Sequence, residues 1–422
     1  MSHFMLPTRT VKPLILAAFA LASPLAAPLA APLGAQVTPP PPPPAVDTSY
    51  AEYRESPISL PQGIGVRVPM YNRVDGLVVP WGPVITLAND RIRIDPTITY
   101  RSHIGKLDPF AKIQIAPMAA TRLEIAGGRG TFTNDGWIRS DLVNTLAALA
   151  VGSDARNYFR ADRGWATVAH DFVASDFVIT PSVGGQLEND WSTGVPFRHT
   201  HAPWSLLKKT DSLKMRRPNP SIAKGHVNSI LGRVKTDYER DDVKGNLDVG
   251  VEHAFDSPPT VFIVSPPDPH SAVNSSGDFT QITIGSKASF LTFGEQSFAF
   301  RGHAVFTPGD IAPPQRFAYL GGAGTLATVD LLALGGDRLL FVEGEYSIPV
   351  PRVQLPFVGS PIVSLRYAAG SAGVSEFPDF IQNLGVGAGV RFLKIEYHID
   401  PNYKKTTYTH KSAFAVGLSL SL

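Results

Sequence analysis

The chain has 422 residues, of which 18% are charged, and it carries a formal net charge of +2 and no cysteine. The missing cysteines exclude disulfides and thiolate metal sites, and the small net charge argues against nucleic acid as a partner. A mean hydropathy of +0.02 with so few charges is typical of a chain that shows apolar side chains to lipid and polar ones to a lumen.

The first residues have the pattern of an export signal. Arg9 and Lys12 precede the apolar run Leu14 to Ala22, and small residues lead to Ala35. Residues 1–35 are therefore predicted to be a signal peptide cleaved near Ala35. An uncleaved helical anchor is the alternative, but three prolines interrupt the run before it reaches the length of a helical span.

A stiff tether follows the signal. It covers residues 36–57 and contains six consecutive prolines, Pro39 to Pro44, which favour an extended polyproline conformation. So short a segment leaves no room for a folded domain before the first strand. The remaining residues, 58–422, are predicted to form one β-domain.

Alternating apolar and small or polar residues predict strands through this domain. At the C-terminus the large apolar set comprises Phe414, Val416, Leu418, Leu420 and Leu422, and between Asn383 and Phe392 the apolar residues alternate with glycines and Arg391. An arginine facing lipid would cost about 2–4 kcal/mol at the middle of a bilayer, so the charged parity is expected to face a lumen.

Fifteen strands are predicted by this alternation. They lie near residues 74–87, 91–102, 107–117, 121–133, 163–174, 176–188, 227–239, 242–254, 278–291, 296–307, 338–349, 355–369, 381–391, 393–400 and 411–422. The long connections between them all fall on one side, as in outer-membrane barrels. An even count is needed to bring both ends to the same side, so a weak sixteenth strand is expected at Ile58 to Val68. The predicted fold is all-β: a transmembrane antiparallel barrel of about sixteen strands.

Sites of chemistry are few. The sequence contains none of the motifs GxSxG, HExxH, Walker A or GxGxxG, so no enzyme activity and no cofactor is predicted. His199 and His201 lack a nearby third ligand, so no metal site is predicted. A short helix, Asp141 to Val151, is expected in one outer loop, where it packs as a plug or cap with Leu142, Leu146 and Leu149 on one face.

A basic segment lies between Asn189 and His226. Its candidates for contact with lipopolysaccharide phosphates are Lys208, Lys209, Arg216 and Arg217. The alternative is a solvated loop without a specific ligand.

The stretch from Tyr319 to Pro349 resembles the bacterial surface antigen superfamily of outer-membrane barrels, which includes the BamA and TamA assembly factors and two-partner secretion transporters. The residues that carry the resemblance are Gly321, Gly322, Gly324, Gly336, Asp337, Glu343 and Glu345, and the stretch Tyr71 to Leu77 resembles an opening-strand motif. The resemblance implies sixteen strands and a loop, here residues 308–337, that folds into the lumen and touches wall residues such as Glu343 and Glu345.

This chain departs from that pattern in two ways. Ala327-Thr328-Val329 stands where the family has an Arg-Gly-aromatic tip, and Ala368 stands where its acidic partner is expected. No periplasmic POTRA domains are visible in the sequence either. The chain therefore resembles a short, barrel-only branch, and anchoring of the loop by that ion pair is not expected.

These observations predict a protein of the outer membrane of a Gram-negative bacterium. Its expected partners are outer-membrane lipid, lipopolysaccharide and client outer-membrane proteins, and its expected role is to aid the insertion or translocation of proteins or lipids. Two alternatives remain open at this stage: a passive channel for small solutes, and a soluble exported β-rich binding protein.

Overall fold

The computed structural model describes residues 58–193, 217–263, 272–355, 359–390 and 393–418. The signal peptide, the tether, His199, His201 and three of the predicted phosphate contacts (Lys208, Lys209 and Arg216) lie outside the described residues. In the part of the chain that is described, no helix is long and apolar enough to cross a membrane.

Strands dominate the described chain, as predicted. The strands of the first half are β1 (Ile58–Ser59), β2 (Met70–Asn72), β3 (Gly76–Trp81), β4 (Val84–Leu87), β5 (Ile92–Arg101), β6 (Lys106–Met118), β7 (Thr121–Phe132), β8 (Phe159–His170), β9 (Phe172–Ala174), β10 (Phe177–Ser192), β11 (Gly225–Arg240) and β12 (Val243–Asp256). Those of the second half are β13 (Val261–Ile263), β14 (Ala272–Asn274), β15 (Phe279–Leu291), β16 (Ser297–Phe306), β17 (Ala318–Leu320), β18 (Leu334–Gly336), β19 (Arg338–Pro349), β20 (Ile362–Gly373), β21 (Ile381–Val390), β22 (Leu393–Ile399) and β23 (Ser412–Leu418).

One antiparallel sheet of 19 strands contains all of these except two small hairpins, β13–β14 and β17–β18. Three passes across the sheet are each broken into two strands, namely β1 with β2, β3 with β4, and β8 with β9. The described chain therefore crosses the sheet sixteen times, which is the number of strands predicted from the sequence.

The first pass is as weak as its prolines suggested. Only Ile58–Ser59 and Met70–Asn72 are strands, and a 3-10 turn at Pro61–Gly63 separates them. Proline cannot donate to a strand ladder, which explains the break. The predicted strand at 355–369 is also displaced, because β20 begins only at Ile362.

The two faces of the sheet differ as the alternation predicted. On β21 and β22 the exposed residues Val386 and Ile395 point outward, whereas Asn383 and His398 on the opposite face are 1% exposed. The inward glycines of β21 leave space for neighbouring side chains, since a Cβ at Gly385 would lie 2.5 Å from the ring of His398. Polar and small residues thus line the interior.

The connections at the two ends of the sheet differ in length. Tight turns such as 119–120, 175–176 and 241–242 define a short-turn end, and the connections 133–158 and 307–337 lie at the opposite, long-loop end. Both of these long connections fold inward, and a cavity of about 920 Å³ lies below them, lined by residues of β11, β12, β15, β16, β19, β20, β22 and β23. The sheet therefore curves around a common interior.

Closure of the sheet into a ring stays a prediction. Among the described residues, β23 pairs with β22, and β2 pairs with β3, but no backbone pairing joins the last pass to the first.

The connection 133–158 contains helix α1 (Asp141–Val151), at the bounds expected from the sequence. The Ser140 hydroxyl accepts from the Val143 N–H at its start, and Gly152 ends it with φ 63°. The predicted packing face is only partly right, because Leu149 packs against Tyr71 and Ala148 whereas Leu142 and Leu146 are exposed. The buried side is formed by Asn144, Thr145, Ala147 and Ala148, since small residues let the helix approach Tyr71 of β2 closely.

A close backbone approach between β18 and β20 gives a test of how these two strands pack. At Gly336 an added Cβ would lie 1.8 Å from the carbonyl oxygen of Gly373, so we expect Gly336→Val to destabilise the fold by about 3 kcal/mol. Gly232→Val is the matched control, because nothing lies within 4 Å of the Cβ position at Gly232. The measurement is the temperature at which the mobility of the unheated protein in a gel changes to that of the boiled protein. Equal temperatures for the two variants would contradict this account.

Candidate functional site: an interior plug and its latch

The connection between β16 and β19, residues 307–337, is called the plug here because it packs into the interior of the sheet. Leu320, Leu326 and Val329 of the plug are at most 1% exposed, and they pack against Leu339 and Phe341 of the wall. The structure therefore packs this loop against the inner face of the sheet, and its position in a closed lumen stays a prediction.

Local sequence explains the tight course of the plug. Gly321 and Gly322 have φ values of 125° and 87°, which favour glycine, and a Cβ at Gly321 would lie 2.0 Å from the Asp330 carbonyl oxygen. The hydroxyl of Thr325 accepts from the Gly321 N–H at 2.9 Å. Gly321 and Gly322, two of the glycines that carried the resemblance, therefore build the turn at the tip of the plug.

Two arginines of the wall hold that tip. The guanidinium of Arg301 on β16 donates to the carbonyl oxygen of Gly324 at 2.6 Å, and that of Arg366 on β20 donates to the carbonyl oxygen of Thr325 at 3.0 Å. Glu343 on β19, between the two strands, accepts from both arginines. These three side chains, Arg301, Glu343 and Arg366, are called the latch.

The latch belongs to a longer row of charges on the inner wall. Arg366 lies 3.7 Å from Glu396 on β22, which is paired with Lys394 at 3.0 Å, and Lys394 also pairs with Glu345 at 2.6 Å. With the latch, this row holds three positive and three negative side chains, so its formal charge is zero. Mutual compensation is what allows charges to remain half-buried or buried in a wall.

A second ionic group holds the other end of the plug. Arg316, in the 3-10 turn Pro314–Arg316, donates to Glu188 of β10 at 2.7 Å and to Glu252 of β12 at 2.9 Å. Glu188 is also bonded by Arg163 of β8 at 3.0 Å. The plug is therefore tied to opposite stretches of the wall.

Neutral contacts secure the segment where an arginine tip was missing. The N–H of Thr328 donates to the side chain of Asn383 on β21 at 3.0 Å, and the Asn383 amide donates back to the Thr328 hydroxyl at 2.6 Å. The carbonyl of Thr328 accepts from the N–H of His410, and the N–H of Asp330 donates to the carbonyl of Tyr408. A neutral threonine–asparagine pair thus holds the segment in which the sequence lacks the arginine tip that the resemblance led us to expect.

The other residues of the predicted motif have distinct places. Asp337 is fully buried, and its carboxylate accepts from the N–H groups of Ala312 and Ser375 at 3.1 and 2.9 Å, so it joins both ends of the plug to the next loop. Burial raises the pKa of this carboxyl. Glu343 touches the tip through two arginines, and Glu345 lies one step farther along the row of charges.

Arg217, one of the predicted phosphate contacts, binds other loop segments in the structure. Its guanidinium donates to the side chain of Asn157 and, at 2.9 Å, to the carbonyl oxygen of Arg156. Burial and the neighbouring Arg73 lower its pKa to about 9. The side chain is thus committed to holding loop segments together, which competes with binding an external anion.

Sequence reasoning missed Arg301, Arg316, Arg366 and Asn383. Arg366 and Asn383 share the inward parity of the residues predicted to line the lumen, so alternation alone places them on the correct face. What it does not give is the partner, because carbonyl oxygens of a distant loop carry no sequence signal.

Removing the central carboxylate tests the latch. In Glu343→Gln the two arginines lose the negative charge that they share as a partner, and we expect the plug tip to lose about 3 kcal/mol of local stability. Amide hydrogen exchange of residues 323–326 should then accelerate roughly 100-fold. Glu239→Gln is the control, because the pair between Glu239 and Lys244 is exposed and contributes at most about 1 kcal/mol. Equal exchange in both variants would refute the latch.

No protein-family model and no curated protein matches the sequence. The structure is similar to CdiB from Escherichia coli (10% identity, TM-score 0.47, 84% of this chain and 61% of that chain) and to CdiB from Acinetobacter baumannii (11%, 0.45, 83% and 58%). It is also similar to BamA from Haemophilus ducreyi lacking POTRA domains 1–3 (10%, 0.49, 83% and 69%). The chain thus spans about six tenths of the length of the two CdiB structures. Identities this low transfer no residue role and no activity to this chain.

Proposed function

We propose that this chain is a β-barrel protein of the outer membrane of a Gram-negative bacterium, that the plug closes its lumen, and that displacement of the plug opens a path for inserting or translocating outer-membrane proteins or lipids. The observation that carries the proposal is the plug itself, held inside the sheet by ionic contacts on the inner wall. A gate needs a stable closed state, and its plug must be able to leave the lumen as one unit.

The outward face supports the membrane location. On β10 the outward residues from Phe177 to Leu187 cover roughly 33 Å of extended strand. At the tilt of about 40° that is usual for such barrels, this length matches an apolar band about 25 Å high. Leu187 and Val183 on this band are 66% and 60% exposed, as expected of side chains that face lipid.

Aromatic residues border the band at both ends, as in outer-membrane barrels. Those at the short-turn end are Phe172, Phe177, Tyr238, Phe290, Phe293 and Phe298, and those at the long-loop end are Tyr100, Phe255, Phe306 and Phe380. Seven of these residues are exposed, all except Phe177, Tyr238 and Phe298. A soluble binding protein has no reason to place aromatic rings in two belts with an apolar band between them.

The cavity supports a pathway with one closed end. Glu239 and Lys244, which flank a tight turn, line it at the short-turn end, while Gly324 of the plug and Ala147 of α1 line it from above. In an outer-membrane barrel the tight turns lie on the periplasmic side, and in that orientation this cavity opens toward the periplasm. The passive channel remains the second candidate, and it requires that the plug leave room for ions at rest.

A pair of neighbouring residues on β12 tests the membrane location. Leu247 is 43% exposed on the outward face, and Asn246 lines the cavity. We expect Leu247→Arg to make the free energy of insertion into lipid vesicles less favourable by about 2–4 kcal/mol, because the charge must enter the hydrocarbon region. Asn246→Arg should insert nearly as well as the parent protein. The measurement is the fraction of gel-shifted, folded protein after refolding into vesicles. Equal losses would contradict the assigned faces.

Conductance in planar bilayers tests the gate. The parent protein should be closed for most of the time, and Arg301→Gln with Arg366→Gln should raise the open fraction by at least about tenfold, because the tip loses both donors. Arg233→Gln is the control, since Arg233 pairs with Asp248 on the wall but does not contact the plug. A parent protein that is open at rest would favour the passive channel, and unchanged currents in the double variant would refute the gate.

A further inference from the structure

The two connections that enter the interior meet at a joint, defined here as Asn134 to Trp137 on one side and Gln315 to Tyr319 of the plug on the other. The side-chain amide of Asn134 donates to the carbonyl oxygens of Gln315 at 2.6 Å and of Phe317 at 3.2 Å. Trp137 packs in the cluster that also contains Tyr319. Arg301 adds a second tie, because it donates to Ile138 as well as to the plug tip. The two connections therefore form one composite body.

A buried carboxyl group lies at the centre of this joint. Asp135 is 1% exposed, and its Oδ2 atom accepts from the N–H of Asn157 at 2.8 Å. Its Oδ1 atom has no hydrogen-bond partner among the residues that the structure describes. Leaving an ionised oxygen buried and unpaired is costly, so the neutral form is favoured at this position.

An uncommitted amide lies beside it. Gln315 is 1% exposed, and neither its Oε1 nor its Nε2 has a partner within the described part of the chain. Asp135 and Gln315 line the same small pocket of about 20 Å³, which also borders Tyr158 and Tyr319. That volume holds about one water molecule. A protonated Asp135 can donate into this pocket, directly or through a water, whereas an ionised one cannot.

Ionisable groups face Asp135 from every element packed on it. They are Arg156 and Tyr158 after α1, Arg73 from the turn between β2 and β3, Arg217 from the segment before β11, and Tyr319 from the plug. Asp154 faces Arg73, and Arg139 faces Asp154, so these two groups lie one contact farther from Asp135. Burial raises the pKa of Asp135 to about 7. The N–H groups of Asn157 and Tyr319 and the guanidinium groups of Arg217 and Arg156 offset only part of this rise. Burial also raises the pKa of Tyr158 and of Tyr319 above the usual range for tyrosine.

We propose that the joint between Asp135 and Gln315 is a proton-controlled coupling that binds the two interior connections together when Asp135 is neutral and loosens when it is ionised. This inference rests on the proposed function only in calling the composite body a gate. The coupling itself is a property of the fold and can be measured without any transport assay.

The sign of the pH dependence follows from the two states of Asp135. With a pKa of about 7 in the folded joint and 3.8 when the joint is open, the closed joint binds the proton more tightly. Between these values the open form is ionised while the closed form keeps its proton. The joint is therefore most stable below pH 4, loses stability as the pH rises toward 7, and changes little above pH 7.

Hydrogen exchange of residues 312–321 in the detergent-solubilised protein tests this. After correction for the intrinsic exchange rate, protection should fall about tenfold per pH unit between pH 5 and 7. In Asp135→Asn the protection should be flat over this range. Asp141→Asn is the control, because Asp141 lies on the same connection and contacts Arg156, but its side chain is 65% exposed. That variant should keep the slope of the parent.

Two results would overturn the proposal: a parent protein without a slope, or an Asp135→Asn variant that keeps it. If Asp135→Asn does not fold, as judged by its gel shift, Gln315→Leu gives a second test. Loss of the amide removes the acceptor available to protonated Asp135, so the neutral form is less favoured and the fall in protection should move to lower pH. An unmoved fall would count against the coupling. Current recordings across the same pH range separate the two proposals, because a slope in exchange without any change in current would refute the gate and leave the coupling intact.

Discussion

The carboxylate of Glu343 is the contact on which the interior of this protein depends. It binds two guanidinium groups at once, those of Arg301 and Arg366, and so fixes the donors that hold the plug tip by its carbonyl oxygens. Without it, two positive charges would face each other across a single strand. With it, the wall presents a rigid pair of donors to a loop that supplies only backbone acceptors.

Charge compensation extends this arrangement around the wall. Glu345, Lys394 and Glu396 continue the row of charges from the latch. Arg316 of the plug is compensated in the same way by glutamates on β10 and β12. Buried ion pairs contribute little net stability compared with apolar packing, but removing one partner is costly. Such a network defines one position for the plug. Asp135 and Asp190 are buried carboxyl groups that lack full compensation among the described residues, and Asp135 is the one at the joint through which we propose that pH acts.

Prediction from sequence succeeded where it used patterns between residues that are near neighbours on the chain. The period of two assigned Val386 outward and Asn383 inward, and the loop parity required a sixteenth pass that β1 and β2 supply in broken form. Helix α1 was predictable from Ser140 and Gly152, which cap it. Its packing was not, because Leu142 and Leu146 read as a buried stripe, whereas close approach to β2 selects the face with small residues.

The candidate site could be predicted only in part. Glu343 and the plug glycines stood out in the sequence, but the loss of the expected arginine tip left the anchoring of the loop unexplained. The structure supplies the missing contacts through Asn383 and through arginines that the sequence placed on the inner face without partners. These contacts join residues as far apart as Asn134 and Gln315, and no local pattern encodes such pairs.

The sequence by itself determined the class of fold, the number of passes and the faces of the strands, because alternation and turn residues act between near neighbours on the chain. Only the tertiary structure decided which contacts hold the plug, which charges compensate one another and which carboxyl groups of the described residues are left without a partner. The physical reason is that burial and ionic pairing depend on groups brought together from distant positions. Their energies exist only once the sheet has curved around them.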